Sequence, residues 1–224
     1  MLNTDDIQLL KETLTFWDHL SKTQQHILTS NATVSRHKKG ESIHNADYQC
    51  IGMLIVKTGC LRVYILSEDG REITLYRIGS NETCVLSASC VLQSITFDVH
   101  IDAVTDCELI QVNSAAVSLL MNDNIYVEAY AYKLITERFS EVMWAMQQIL
   151  FMSFDKRLAI FLLDESAASH SDDIKLTHEQ IAKLMGSARE VVTRMLKYFA
   201  SEGYVTLSRG TVTLTDKNKL KKLV

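Results

Sequence analysis

The chain has 224 residues, a formal net charge of −4 and 47% hydrophobic residues, which suits one or two globular domains with proper cores. No apolar run reaches the ~18–20 residues of a membrane span. Met1-Leu2-Asn3-Thr4-Asp5-Asp6 lacks the basic start and apolar stretch of a secretory signal, so a cytoplasmic location and no membrane partner are expected. The five cysteines (Cys50, Cys60, Cys84, Cys90, Cys107) are odd in number and contain no Cys-x-x-Cys pair, which argues against a disulfide framework and against that kind of metal site.

Residues 1–20 carry Leu10, Leu14, Trp17 and Leu20 at helical spacing and read as one amphipathic helix packed on the body. Its polar face is acidic, which disfavours a membrane-surface role. From about 40 to 112 the pattern changes to short strands and tight turns. Ile51–Val56 is an apolar run and Lys57-Thr58-Gly59 a turn. Leu61, Val63 and Ile65 share one face of the next strand, and Ser67-Glu68-Asp69-Gly70 is a strong turn signal. Ile73–Ile78 follows, then the turn at Gly79-Ser80-Asn81. Val99, Ile101 and Ala103 alternate with His100 and Asp102, and Glu108–Val112 closes the series. Evenly spaced short strands of this kind predict a β-barrel or sandwich.

Beyond residue 114 the period becomes helical. Tyr132, Ile135, Phe139, Val142, Met146 and Ile149 follow alternating spacings of three and four, and Ile125 extends the series upstream. Such a heptad seam fits a partner helix, hence a homodimer; packing of the same positions against the barrel is the alternative. Ser153 reads as the N-cap of a further helix running to Leu163, with Asp155 in its first turn. Ser166–Asp173 reads as a polar linker.

The charge is unevenly spread. Residues 175–224 hold ten Lys/Arg and four Asp/Glu, a net of +6, on a body of net −10. A basic module on an acidic body points to a polyanion partner for the module, although Lys217, Lys219, Lys221 and Lys222 also fit a solvated tail. Thr177-His178-Glu179-Gln180 is a capping box with Thr177 at the N-cap. Gly186 permits a sharp turn. Ser187-Ala188-Arg189-Glu190 reads as a second box, opening a helix with Val191, Val192, Met195, Leu196 and Phe199 as its apolar positions, ended by Gly203. Tyr204–Leu207, Ser208-Arg209-Gly210 and Thr211–Leu214 read as a β-hairpin. Helix, glycine turn, helix and hairpin make a winged helix-turn-helix.

The second helix presents Arg189, Glu190, Thr193 and Arg194 near its start, the part of a recognition helix that enters the major groove. Arginine can donate two hydrogen bonds to guanine, and a carboxylate can accept from cytosine. Glu190 could instead close its box or hold an arginine. With Thr177 and Ser187 at the two helix starts, these six residues form the expected DNA-binding set; Lys183 and Lys197 are expected to touch phosphate at most.

These segments resemble the Crp/Fnr family over nearly the whole chain. "KKGESIHNADYQCIGMLIVKTGCLRVYILSEDGREITLYRIG" is similar to the family's β-roll, and "LTHEQIAKLMGSAREVVTRMLKYFASEGYVTLSRGTVTLTD" to its DNA-binding domain. Arg189, Glu190 and Arg194 occupy the positions of its Arg-Glu-x-x-x-Arg reading triad. The resemblance implies an α+β protein: a jelly-roll-like double-stranded β-helix, a long dimerisation helix and a winged helix-turn-helix. It implies an effector-sensing domain over residues 1–113, a dimerisation region over 114–152 and a DNA-binding domain over 153–224. It further implies a homodimer, a palindromic operator with a half-site like TGTGA, RNA polymerase as a partner, and an effector site between roll and helix.

The sensor region departs from the cyclic AMP-binding members. Phe97-Asp98 fall where the phosphate-binding Arg and Ser of those members belong, and Thr83-Cys84 lie near the place of their Gly-Glu. An anionic Asp98 without the arginine would repel a phosphate, so cyclic AMP is not the expected signal. No cysteine precedes Cys50, against the N-terminal iron–sulfur cluster of the oxygen-sensing members. Haem, with His100 or another histidine as ligand, stays open although no histidine spacing points to it, and no cofactor is expected. Cys84 and Cys90 lie where an effector would bind. They read either as a thiol redox sensor or as small buried residues. Neither a metal site nor catalysis is expected, because His37, His44 and His100 do not make the clustered ligand set of a metal-dependent barrel enzyme. An effector-binding module acting on a protein partner remains the alternative function.

Overall fold

The computed structural model describes residues 2–45, 51–68, 70, 72–85 and 99–224. The chain folds into two compact units. One comprises residues 1–65 and 75–142, the other residues 66–74 and 143–224.

The first unit opens with α1 (Thr4–Thr13), capped by Asn3 and Asp6 in a reciprocal box. A 3₁₀ turn at Trp17–His19 and α2 (Lys22–Ser30), boxed by Ser21 and Gln24, follow. The single helix expected over residues 1–20 is thus broken after Thr13, although Leu10, Leu14, Trp17 and Leu20 all reach the core. Strands β1 (Ala32–His37), β2 (Ser42–His44), β3 (Met53–Thr58), β4 (Leu61–Leu66), β5 (Glu72–Ile78), β6 (Thr83–Cys84), β7 (His100–Ala103) and β8 (Cys107–Val112) make two four-stranded sheets. Their orders are β1-β8-β3-β6 and β2-β7-β4-β5.

The run Met53–Val56 is apolar throughout because both of its faces are covered. Met53 and Ile55 join the N-terminal helices in one core, with Leu10, Leu14 and Leu28. Leu54 and Val56 point into a second core that holds Leu61, Val63, Ile78, Ile101 and Leu109. Each such side chain fully buried contributes about 1.5–3 kcal/mol. Gly59 is required at the β3–β4 turn. Its φ is +94°, and a Cβ there would sit 2.5 Å from the Asp106 carbonyl oxygen. Lys57 anchors α1 to the sheet by pairing with buried Asp6 and with Glu108 (3.3 Å). Burial alone would raise the Asp6 carboxyl, but Lys57 and the capping bond to Asn3 outweigh it and hold it below the usual range.

Helix α3 (Ser114–Asp123) is capped by the Asn113 side chain and ends at Asn124. Helix α4 (Ile125–Phe151) then runs for 27 residues. No helix among the described residues is long and apolar enough to cross a membrane.

In the second unit, α5 (Phe154–Ser169) starts at Ser153 as expected, though the Ser153 side chain caps no backbone N–H. It continues six residues beyond Leu163, so half of the expected polar linker, residues 166–169, is helix. The alanine and serine residues there are ordinary in a helix, and Ser166 is buried, its hydroxyl donating to Asp172 at 3.1 Å. The rest of that segment includes β9 (Asp173–Ile174), which pairs with the hairpin. Helices α6 (His178–Met185) and α7 (Arg189–Ser201), the hairpin β10 (Val205–Ser208) and β11 (Thr211–Leu214), and α8 (Lys217–Leu223) complete the chain. Leu158, Leu162, Ile181, Val192, Leu196 and Phe199 form their common core, and Leu220 seats α8 in it. The C-terminal lysines therefore lie on a docked helix rather than a free tail.

Candidate functional site

Helix α6 begins as its sequence dictates. The Thr177 hydroxyl accepts from the Gln180 N–H (3.2 Å), and the Gln180 side chain accepts from the Thr177 N–H (2.8 Å). Gly186 ends it at φ +63°. The next helix departs from expectation, because Ala188 is the N-cap of α7 and no side chain caps it. The Ser187 N–H is spent on the Ala182 carbonyl (2.9 Å), so Ser187 closes the preceding helix instead of opening the next. Without a capping box, Glu190 has no part in opening α7 and stays exposed.

On α7 the buried residues are Val192, Leu196 and Phe199, a spacing of four and three that pins one face to the core. On the other side, Arg189, Glu190, Thr193, Arg194 and Lys197 line one shallow open recess. The structure thus brings together four of the six expected DNA-binding residues. Thr177, exposed, and Ser187, half-buried, sit at the ends of α6 outside that recess. Lys183, expected at most to touch phosphate, lies 3.3 Å from the Glu72 carboxylate. Sequence reasoning missed His178, whose ring contacts Thr193 across the two helices (3.0 Å). Its position inside the capping box hid it, since only the packing of α6 on α7 brings residues 178 and 193 together.

The expected seam on α4 divides. Ile135 and Val142 are half-buried, Ile135 against the N-terminal core and Val142 against the core between the sheets. Tyr132, Phe139, Met146 and Ile149 are exposed, and Met143, Trp144 and Leu150 are exposed beside them.

Cys84 lies on β6, 1% exposed and paired in register with Leu54. It neighbours the phenol of Tyr76, which burial and the adjacent Cys84 push well above the ordinary tyrosine range. The Arg138 guanidinium of α4 stacks 5.0 Å from the Tyr76 ring centre and holds Glu141 through two hydrogen bonds of 2.8 and 2.9 Å. The Tyr130 hydroxyl and the Thr83 hydroxyl are 3.0 Å apart. Cys50, Cys90, Phe97 and Asp98 lie outside the described residues. Among the described residues no three His, Cys, Asp or Glu side chains gather as a metal site.

An antiparallel sheet pair, a long helix and a winged helix-turn-helix with a polar, arginine-bearing second helix together define a DNA-binding transcription regulator. The Crp-like helix-turn-helix domain family matches residues 156–223, and the cyclic nucleotide-binding domain family matches residues 34–124. A crystal structure assigned to the Crp/Fnr family of transcriptional regulators, from Eubacterium rectale, is 44% identical, with a TM-score of 0.92, over 95% of this chain and 99% of that one. The cyclic AMP receptor protein of Thermus thermophilus is 25% identical over 171 residues, 76% of this chain and 78% of that protein. The transcriptional regulator SdrP of the same organism is 28% identical over 95 residues, 40% of this chain and under half (47%) of SdrP. The chain belongs to the Crp/Fnr family.

Proposed function

We propose that this protein regulates transcription as a homodimer on a palindromic operator, and that a signal at its sheet domain sets its affinity for DNA. The observation that carries this reading is the two-sided α7. Three buried apolar residues fix one face, and Arg189, Glu190, Thr193, Arg194 and Lys197 share an open recess on the other. In this reading residues 1–113 sense, 114–152 dimerise and 153–224 bind DNA. The protein is cytoplasmic, is not an enzyme, and works with RNA polymerase. Removing residues 171–224 should abolish operator binding in a mobility-shift assay. Operator binding that survives the truncation would place DNA recognition outside α7, and a full-length protein that binds no operator would favour the alternative, a sensor module acting through a protein partner.

The signal is a thiol modification or a small ligand other than cyclic AMP, since the sequence carries Phe97-Asp98 where the resemblance to the cyclic AMP-binding members would put their phosphate-binding Arg and Ser. In the thiol reading the sensing residue is Cys84, in concert with Cys90. Its sulfur is buried beside Tyr76, so an oxidant reaches it only when the sheet domain opens, and an added oxygen atom would then force side chains apart. Peroxide should therefore change operator affinity in the parent protein and leave Cys84→Ser unaffected. Equal responses in the two would place the sensing elsewhere.

A further inference from the structure

His178 is the first residue of α6 and the one histidine between residues 171 and 224. Its half-buried ring puts Nδ1 3.0 Å from Oγ1 of Thr193. Thr193 shares its recess with Arg189, Glu190, Arg194 and Lys197. One hydrogen bond thus ties the first helix of the motif to a side chain among the reading groups of the second.

A hydroxyl carries one hydrogen and two acceptor lone pairs. An imidazolium can only donate, so its Nδ1–H takes a lone pair of Thr193 and leaves the Thr193 hydrogen to donate outward. A neutral ring protonated at Nε2 does the reverse. Its Nδ1 accepts the Thr193 hydrogen, and only lone pairs remain for a base edge. With the neutral ring in that Nε2-protonated tautomer, gaining a proton changes what Thr193 offers to DNA.

The charged groups that face the ring from α7 are Arg189 and Lys197; on its own helix the neighbouring acid is Glu179. Burial, then the charges of Arg189 and Lys197, hold His178 below the ordinary histidine range in the free protein. A bound duplex sets phosphates against those two cations and offsets them, which favours the imidazolium.

We propose that His178 is a positioning residue for DNA reading that gains a proton when the operator binds, and that this proton turns Thr193 from a hydrogen-bond acceptor into a donor. The inference rests on α7 being the reading helix. The sign follows from linkage. The bound state holds the proton more tightly than the free state, so affinity rises as pH falls between the two titration points and is flat outside them. The limit is about tenfold per pH unit for each proton gained. At the base pair facing Thr193, preference should move from amino-bearing edges at high pH to acceptor edges at low pH.

The test measures affinity of the full-length protein for a duplex carrying an inverted repeat of TGTGA, from about pH 5.5 to about pH 8.5 at fixed salt. The parent should gain up to about tenfold per pH unit per protomer within that range. His178→Gln keeps a hydrogen-bonding amide but does not titrate. It should show no slope, whatever its affinity at the highest pH. Equal slopes in parent and variant would overturn the proposal. Calorimetry of the unaltered protein in two buffers of different ionisation heat reads the proton directly, so it does not depend on the variant folding. Net uptake on binding is expected, and zero uptake at every pH would overturn the proposal while leaving DNA binding by α7 intact. A parent that binds no duplex at any pH removes the reading of α7 and this inference with it.

Discussion

Phe139→Glu should dissociate the proposed homodimer into monomers. Phe139 is 62% exposed in the isolated chain, and Tyr132, Met143, Met146, Ile149 and Leu150 are exposed on the same helix. A contiguous apolar strip of this kind marks an interface, because leaving it in water forgoes the gain from burying each side chain. Ile135 and Val142 already serve the protein's own cores, so the partner is expected on the row from Tyr132 through Phe139, Met143 and Met146 to Leu150. A carboxylate at the middle of that row would be buried without a counter-charge in the dimer. Sedimentation should show the parent as a dimer and the variant as a folded monomer. Operator affinity should fall by roughly 10²–10⁴, the usual gain from linking two half-site contacts. A variant that sediments as an ordinary dimer would place the interface elsewhere.

Arg189→Ala should cost about 1–3 kcal/mol of operator affinity and relax the preference at one base pair of each half-site. Arg189 is the first residue of α7, exposed in the recess, where its guanidinium can reach both acceptors of a guanine. Arg194 is placed for a second guanine. Glu190, free of any capping bond, is placed for a cytosine or for holding an arginine in position. Lys197→Ala should behave differently, weakening all sequences alike and flattening the salt dependence, because a lysine on phosphate carries no base information. Affinities for a panel of single base-pair variants separate the two behaviours. An Arg189→Ala protein that retained the parent's preference at every position would mean that α7 does not read.

Much of this architecture was legible in the sequence where local chemistry and burial agree. The Thr177–Gln180 box, the glycine turn and the hairpin each carry their own signal, and Ile101 and Ala103 alternate with His100 and Asp102 as the pleat requires. Other elements are held by their neighbours rather than by their own residues. β1 reads Ala-Thr-Val-Ser-Arg-His, with only Ala32 and Val34 apolar, and rests on the full antiparallel ladder that β8 supplies. β9 is two residues long and depends on β11. α8 looks like a lysine tail until Leu220 is seen in the core. At the site, the polar row of α7 that lines the recess was visible from periodicity. The second capping box failed because the sequence does not say which helix Ser187 serves. The contact of His178 with Thr193 depends on how two helices pack, which no spacing encodes. On α4 the spacing of three and four marks an apolar stripe without saying which of its residues the chain partly covers itself, as it does Ile135 and Val142.

If two copies of α7 read DNA together, binding-site selection from random duplexes with the full-length protein should enrich an inverted repeat whose half-sites lie about one helical turn, ~34–36 Å, apart, with guanines at the positions facing Arg189 and Arg194. Recovery of sequences with no shared motif, or of a single unrepeated site, would contradict such paired reading.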